Sequence, residues 1–189
     1  MPLPKSDYAF CQGCGESVET HRVTAEGKVE SRCVYCGLVL DKQTKLPESC
    51  DRVIVVDDSR MICDVVSDAL MQRGIASEVS ICHDGREFIR EFTQSLVAER
   101  RPDCVILDVE MPIVNGIHAA IAGRAIEEGF GIQSIPFIFF SVRKCDEKFR
   151  KVLQLCKPAA YLNKATAPKP EMIGDRLSAI MRDVGRKID

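Results

Sequence analysis

The sequence predicts an α/β chain in which helices cover both faces of a five-stranded parallel sheet, with a small β unit in front of it. Three observations carry this. From Arg52 onward, short apolar runs alternate with helical patterns, which is how a doubly wound sheet reads. The run Val105-Ile106-Leu107 is bounded by turn residues and ends in Asp108, as expected of a strand buried on both faces. Ahead of Asp51 the pattern changes to paired cysteines and short alternating stretches.

Composition narrows the function classes. The 189 residues allow one or two domains with enough apolar content for a core. A formal net charge of −2 gives no overall pull toward nucleic acid or an anionic membrane. No stretch approaches the roughly 20 apolar residues of a membrane span. The start, Met1-Pro2-Leu3-Pro4-Lys5, lacks the apolar core of a signal peptide, so the expectation is a cytoplasmic protein with no membrane partner. In that compartment ten cysteines read as reduced thiols, some of them metal ligands, rather than as disulfides.

Four of the cysteines are paired, in Cys11-Gln12-Gly13-Cys14-Gly15 and Cys33-Val34-Tyr35-Cys36-Gly37, with 18 residues between the pairs. A two-residue gap lets a tight turn aim both sulfurs at one ion, and the glycine that follows permits that turn. Between the pairs, Ser17 to Thr24 and Lys28 to Cys33 read as a hairpin around Ala25-Glu26-Gly27, and Gly37 to Leu40 as a short third strand. Residues 8–42 resemble a zinc ribbon, with Cys11, Cys14, Cys33 and Cys36 closing a four-sulfur Zn²⁺ site. Two disulfides, a dithiol redox site or an iron site of the rubredoxin kind are the rivals. His21 reads as an exposed hairpin residue. The other six cysteines, Cys50, Cys63, Cys82, Cys104, Cys145 and Cys156, stand singly and mostly in apolar segments, where Cys acts as a small hydrophobe. Residues 1–50 carry six basic side chains (Lys5, Arg22, Lys28, Arg32, Lys42, Lys45) and seven acidic ones (Asp7, Glu16, Glu19, Glu26, Glu30, Asp41, Glu48). Without a basic stripe, a protein-binding role is favoured over a nucleic-acid one. The division expected is 1–42 for the ribbon, 43–51 for a linker and 52–189 for the α/β domain.

Within that domain the first strand is Val53 to Val56, ending in Asp57-Asp58. Ile62, Val65, Val66, Ala69 and Leu70 then recur at helical spacing up to Gly74. A second strand lies near Glu78 to Ile81, and His83-Asp84-Gly85 turns into a helix carrying Phe88, Ile89, Phe92 and Leu96. The third strand ends in Asp108; Asn115-Gly116 opens a helix through Ala119, Ala120, Ile121 and Ile126 that is expected to stop at Gly129. Pro136 to Phe140, ending in Ser141, is the fourth strand, and Phe149, Val152, Leu153 and Cys156 mark the next helix. Ala159 to Leu162 is the fifth, followed by Asn163-Lys164. Pro168 and Pro170 introduce a last helix with Ile173, Leu177, Ile180 and Val184 on one face.

Taken alone, Asp108 is more often a helix cap than a site. Compared with the other strand ends it changes meaning. Carboxyl ends of strands in a doubly wound sheet share one rim, so Asp57, Asp58, Asp108, Ser141 and Lys164 converge. Clustered carboxylates repel, and a hard divalent cation such as Mg²⁺ relieves them. A lysine and a hydroxyl facing that cation suit the remaining oxygens of a phosphoryl group moving to a carboxylate.

These residues, in this order, resemble the receiver domain of bacterial two-component response regulators over residues 51–189. The resemblance implies a flavodoxin-like fold with strand order 2-1-3-4-5. It implies Asp108 as the phosphoacceptor, Mg²⁺ held by Asp57, Asp58, Asp108 and the backbone carbonyl of Glu110, and Ser141 and Lys164 as the groups that bind the acyl phosphate. Ser141 and Tyr161 would form the switch, the aromatic turning inward as the hydroxyl moves. Met111-Pro112 and Asn115-Gly116 match the family's loop after the acceptor.

Three positions depart from the common pattern. Ala165 follows Lys164 where the family places a proline in a cis linkage, and a cis bond before a non-proline residue costs about 2.5–4 kcal/mol. The lysine amine is expected near Asp108 whichever isomer the bond adopts. Val142 replaces a small residue beside the hydroxyl. Glu110 and Arg143 stand where the family varies its dephosphorylation rate, and they are expected to pair across the cleft mouth. The chain is thus expected to be a non-enzymatic response regulator, with at most self-phosphorylation and autodephosphorylation. It would be phosphorylated by a histidine kinase or phosphotransfer protein, and would signal through a downstream protein at the switch face, the ribbon or both. Self-association on phosphorylation is a further expectation. A phosphorylation-controlled nucleic-acid regulator and a phosphorelay intermediate are the alternatives.

Overall fold

A computed structural model describes residues 8–11, 13–14, 16–25, 28–40, 50–164, 173 and 176–177. The predicted α/β domain is present: β4 (Cys50–Val56), α1 (Arg60–Gln72), β5 (Ala76–Cys82), α2 (Gly85–Val97), β6 (Cys104–Leu107), α3 (Gly116–Phe130), β7 (Phe137–Ser141), α4 (Glu147–Leu155) and β8 (Ala159–Asn163). The five strands are parallel, in the order β5-β4-β6-β7-β8, which is the 2-1-3-4-5 order expected. Ahead of them, β1 (Tyr8–Cys11), β2 (Glu16–Ala25) and β3 (Lys28–Cys33) form an antiparallel sheet.

The central strands β6 and β7 are buried at every position, because helices lie on both of their faces. Phe88 and Phe92 of α2 meet Phe137 edge-on, and Phe149 of α4 does the same to Phe139 and Tyr161. Ser59, Asp84, Asn115 and Asp146 cap α1 to α4, each accepting from backbone N–H groups of the first turn.

Several boundaries differ from expectation. The first sheet strand begins at Cys50, inside the expected linker, because its N–H bonds the Ile75 carbonyl at 2.8 Å. The third helix of the α/β domain runs past Gly129 to Phe130. Gly131 takes the left-handed backbone (φ 64°) that ends it. The expected strand at Gly37 to Leu40 is only a bridge between Arg32 and Val39, since the Cys33–Cys36 turn breaks the ladder. The third strand of the small sheet is instead Tyr8–Cys11. Of the last helix, Ile173 and Leu177 are helical and buried; Ile180 and Val184 lie outside the described residues.

The small sheet shares its core with the α/β domain. Cys11, Cys14, Val18, Cys33 and Leu38 belong to one continuous buried cluster with Phe149, Tyr161 and Leu177. Of the six single cysteines, five are buried and Cys50 is half-buried.

Candidate functional site

Adjacent central strands set the carboxylates side by side. Val56 pairs with Leu107, so the residues that follow, Asp57 and Asp108, leave the sheet together, and the Asp108 N–H still bonds the Val56 carbonyl at 2.8 Å. Ligand oxygens of Asp57, Asp58 and Asp108 lie within 4.8 Å of one another. Asp57 and Asp108 are 2% and 4% exposed, while Asp58 faces solvent. On the far side of β6, Ser141 pairs with Asn163, and the Lys164 N–H bonds the Ser141 carbonyl at 2.9 Å. This register delivers Lys164 Nζ to 2.6 Å from Asp57 Oδ2 and 3.0 Å from Asp108 Oδ1. The amine is therefore where it was expected; the Lys164–Ala165 bond itself lies outside the described residues.

The loop after Asp108 requires glycine at position 116. A Cβ there would lie 1.8 Å from the Asp108 carbonyl oxygen, while the Gly116 N–H bonds the Val109 carbonyl at 3.1 Å. Asn115 completes the turn by accepting from the His118 N–H at 3.0 Å.

The residues suit a hard cation. Asp57 Oδ2 is buried with the Lys164 amine 2.6 Å away, and as a carboxylate oxygen facing two further carboxylates it keeps acceptor capacity for a cation. Burial pushes the Asp108 carboxyl above its ordinary 3.8, with Asp57 adding to the rise and Lys164 opposing it. The sign for stability follows. A raised carboxyl binds its proton more tightly in the folded chain, so stability falls as pH climbs from about 3.9 through the raised value. Asp108→Asn is accordingly expected to be more stable than the wild type at pH 7 without divalent cations. The gap should close on acidification to pH 3 and shrink when Mg²⁺ binds the wild type, as urea midpoints would record.

Ser141 is fully buried and its Oγ accepts from the Arg143 N–H at 3.1 Å. Tyr161 is also buried, donating to the Arg143 carbonyl and accepting from Asn163 Nδ2 at 2.7 Å. Val142 is 55% exposed at the mouth. The expected Glu110–Arg143 pair is replaced: Arg143 Nη2 lies 3.2 Å from Asp146 Oδ2, three residues on, where the turn into α4 brings them together.

The four paired cysteines converge as a second centre. Cys11 and Cys36 sulfurs are 3.4 Å apart and those of Cys14 and Cys33 are 3.7 Å apart, with all four within 4.8 Å. Disulfides need about 2.05 Å, whereas sulfurs set 2.3 Å from one tetrahedral ion stand roughly 3.8 Å apart. Backbone N–H groups of Cys14, Tyr35 and Cys36 point at the Cys11 and Cys33 sulfurs, at 3.4, 3.3 and 3.4 Å. Hydrogen bonding within the cluster pushes the Cys11 and Cys33 thiols down and the Cys14 and Cys36 thiols up. A zinc-sized cation fits the donor set.

The family model of the response regulator receiver domain matches residues 53–170. The chain belongs to the receiver family. Among curated relatives, the receiver is 46% identical over 68 residues to a protein-glutamate methylesterase/protein-glutamine glutaminase of Haloarcula marismortui, covering 36% of this chain and 17% of that one. It is 37% identical over 98 residues to the transcriptional regulatory protein PrrA of Mycobacterium leprae, covering 50% and 36%. It is 28% identical over 115 residues to hybrid signal transduction histidine kinase I of Dictyostelium discoideum, covering 60% and 6%. The chain thus spans about a third or less of the length of these relatives. Among solved structures it resembles the receiver domain of the Arabidopsis thaliana histidine kinase CKI1, complexed with Mg²⁺ and BeF₃⁻. The TM-score is 0.56 at 26% identity over 68% of this chain and 90% of that one. The Thermotoga maritima CheB response regulator domain shares the fold, with a TM-score of 0.57 at 21% identity over 71% and 96%. Receiver domains bind Mg²⁺ at acidic residues and interact with histidine kinases or phosphotransfer proteins, and the Asp57, Asp58 and Asp108 cluster is the acidic one here. Among the described residues no helix is long and apolar enough to cross a membrane.

Two contacts of the Gly13 carbonyl next to the receiver site carried no signal in the sequence. Asn163 bonds the Tyr161 hydroxyl through its side chain, while its N–H donates to the Gly13 carbonyl at 2.8 Å. Arg176 donates to the same carbonyl at 3.0 Å. Gly13 is far from both Asn163 and Arg176 in sequence, so no local pattern could reveal these two contacts.

Proposed function

We propose that this receiver works as a response regulator in which Asp108 accepts a phosphoryl group from a histidine kinase or phosphotransfer protein. The observation that carries the reading is the position of Lys164 Nζ, within 3.0 Å of Asp108 and beside the buried Asp57. Asp57, Asp58, Asp108 and the Glu110 backbone carbonyl would hold Mg²⁺, which when bound supplies positive charge for the oxygens of the transferring group. Asp108 Oδ attacks phosphorus as the bond to the donor nitrogen breaks, forming an acyl phosphate. Lys164 pairs with the new phosphate oxygens, and Ser141 donates its hydroxyl to them. Ser141 and the buried Tyr161 are both bonded to Arg143, so movement of the hydroxyl is transmitted to the aromatic ring.

In this reading residues 1–42 form a zinc ribbon on Cys11, Cys14, Cys33 and Cys36, residues 43–49 link it, and the receiver runs from Cys50, where its first strand begins, to residue 189, acting in the cytoplasm. Output is a protein–protein contact. The ribbon's even charge balance supports this over nucleic-acid binding. Phosphate uptake from acetyl phosphate is the test: the full chain is expected to gain one acid-stable, hydroxylamine-labile phosphate, only when Mg²⁺ is present. Absence of uptake from both acetyl phosphate and kinase donors, or a hydroxylamine-resistant label, would overturn the assignment.

A further inference from the structure

We propose that the groove between the small sheet and α4 is a docking site for an acidic peptide segment of a partner protein, one in which carboxylates alternate with apolar side chains. The site is separate from the Asp108 reading and binds without phosphate or Mg²⁺.

The groove has a volume of about 880 Å³, within the size range of built binding pockets, and it lies where two modules meet. On one side stand Val23 and Arg32 of the small sheet and Val34 of its cysteine turn; on the other stand Arg150 and Leu153 of α4 and Lys157 of the turn into β8. Ser134, just ahead of β7, and Pro158, just ahead of β8, line its floor. The groove therefore sits at the starts of these strands, at the end of the parallel sheet opposite Asp108 and Ser141. Farther along β8, the Cys11–Cys14 knuckle takes the Asn163 N–H through the Gly13 carbonyl, so the groove borders only the beginning of that strand.

Charge selects the partner. Among the described residues no acidic side chain lines the groove, whereas Arg32, Arg150 and Lys157 do. Glu30 engages Arg32 at 2.7 Å, so the charge on offer is that of Arg150 and Lys157, both exposed. It continues along α4: residues 143–157 carry six basic side chains, Arg143, Lys144, Lys148, Arg150, Lys151 and Lys157, against Asp146 and Glu147, in a chain whose net charge is −2. A basic stripe that runs past the groove suits an extended anion more than a compact one. The walls then separate a peptide from a nucleic acid. Val23, Val34 and Leu153 offer apolar contact, and no Phe, Tyr or Trp ring among the described residues lines the groove for a base to stack on. Cys33 and Cys36 close the ribbon end, where thiolates would repel a carboxylate. The apolar side chains of the peptide accordingly face that end, and its carboxylates face α4.

The test is fluorescence anisotropy, with the full, zinc-supplemented chain titrated into a short labelled peptide in which aspartate and glutamate alternate with leucine. The same peptide with serine in place of leucine and a labelled oligothymidylate are run beside it. Saturable binding of the leucine peptide is expected, weakened on the order of tenfold by Arg150→Glu/Lys157→Glu, because each reversal turns an attraction at the rim into a repulsion. Both residues are exposed, so the double variant should keep the wild-type urea midpoint. Val34→Ser should weaken binding several-fold through the apolar wall, and the serine peptide should bind correspondingly less. Arg86→Glu/Arg90→Glu on α2 makes the same change in net charge away from the groove and should bind as the wild type does. Five results overturn the inference and leave the Asp108 reading standing: no saturable binding of the leucine peptide, equal affinity in the groove double variant, an equal loss in the α2 variant, equal binding of the serine peptide, or tighter binding of the oligothymidylate. A wild type that binds the peptide but takes up no phosphate overturns the Asp108 reading alone.

Discussion

Asp108→Asn takes up no phosphate from acetyl phosphate or from a kinase, while Lys164→Met takes it up roughly 10²–10³-fold more slowly: these are the expected results of labelling the two variants beside the wild type. The difference in size follows from the geometry. Asparagine has nearly the same shape and remains at the end of β6, but its amide oxygen is a poor nucleophile, so nothing replaces the bond to phosphorus. Methionine fills the space of the lysine stem and removes only a positive charge 3.0 Å from the acceptor. Charge stabilisation is then lost while the nucleophile survives. Retention of label in Asp108→Asn would place the acceptor elsewhere, and Lys164→Met labelling at the wild-type rate would remove the electrostatic role assigned to the amine.

Arg124→Ala should cost about 3–5 kcal/mol of stability in urea, a large part of the 5–15 kcal/mol typical of a folded domain. Arg124 lies far from the phosphoryl site but binds three elements together. Its Nη1 donates to both oxygens of Glu127, at 2.8 and 2.6 Å, while Nε and Nη2 reach the Cys156 carbonyl at 3.1 and 2.8 Å. Nη2 also reaches the Ile135 and Pro158 carbonyls at 2.8 and 3.2 Å, and the guanidinium carbon stands 3.9 Å over the Phe137 ring. Glu127 is 1% exposed, with the Ile135 N–H at 2.8 Å as its other donor. Removing the arginine leaves a buried carboxylate short of partners, along with three backbone carbonyls that lose a shared donor. The double variant Arg124→Met/Glu127→Leu is expected to recover most of the loss, because paired removal takes away the desolvation cost as well as the attraction. A loss below 1 kcal/mol in the single variant would contradict this account.

The two residues of that pair also show why some of the molecule was legible in the sequence and some was not. An arginine and a glutamate three apart on a helix read as a solvated surface pair; only the packing of α3 on β7 turns them inward. Strands β6 and β7 could be read because burial on both faces leaves uninterrupted apolar runs, and strand ends could be compared because a parallel sheet gathers them at one rim. The acidic triad, Ser141 and Lys164 were found that way. Gly129 and Gly131 are both plausible helix ends by residue type, and backbone angle alone separates them. The four-residue strand Tyr8–Cys11 is too short to show a period. The Gly13 contacts join the start of the chain to its last strand and last helix, and Arg176 in sequence is one more charge on a polar helical face. Non-local contacts of this kind have no signature along the chain.

The docking of Gly13 on β8 has a further consequence, for solubility. In the order β5-β4-β6-β7-β8 the last strand pairs with one neighbouring strand among the described residues, so its other side is a margin on which an extended chain could add. The knuckle covers part of that side, taking the Asn163 N–H and standing against the Tyr161 carbonyl. The ribbon is thereby also a guard on the sheet's open margin. A receiver shorn of residues 1–49 would present Ala159–Asn163 as a template for strand addition, and would be prone to aggregate by sheet extension even where its own fold survives.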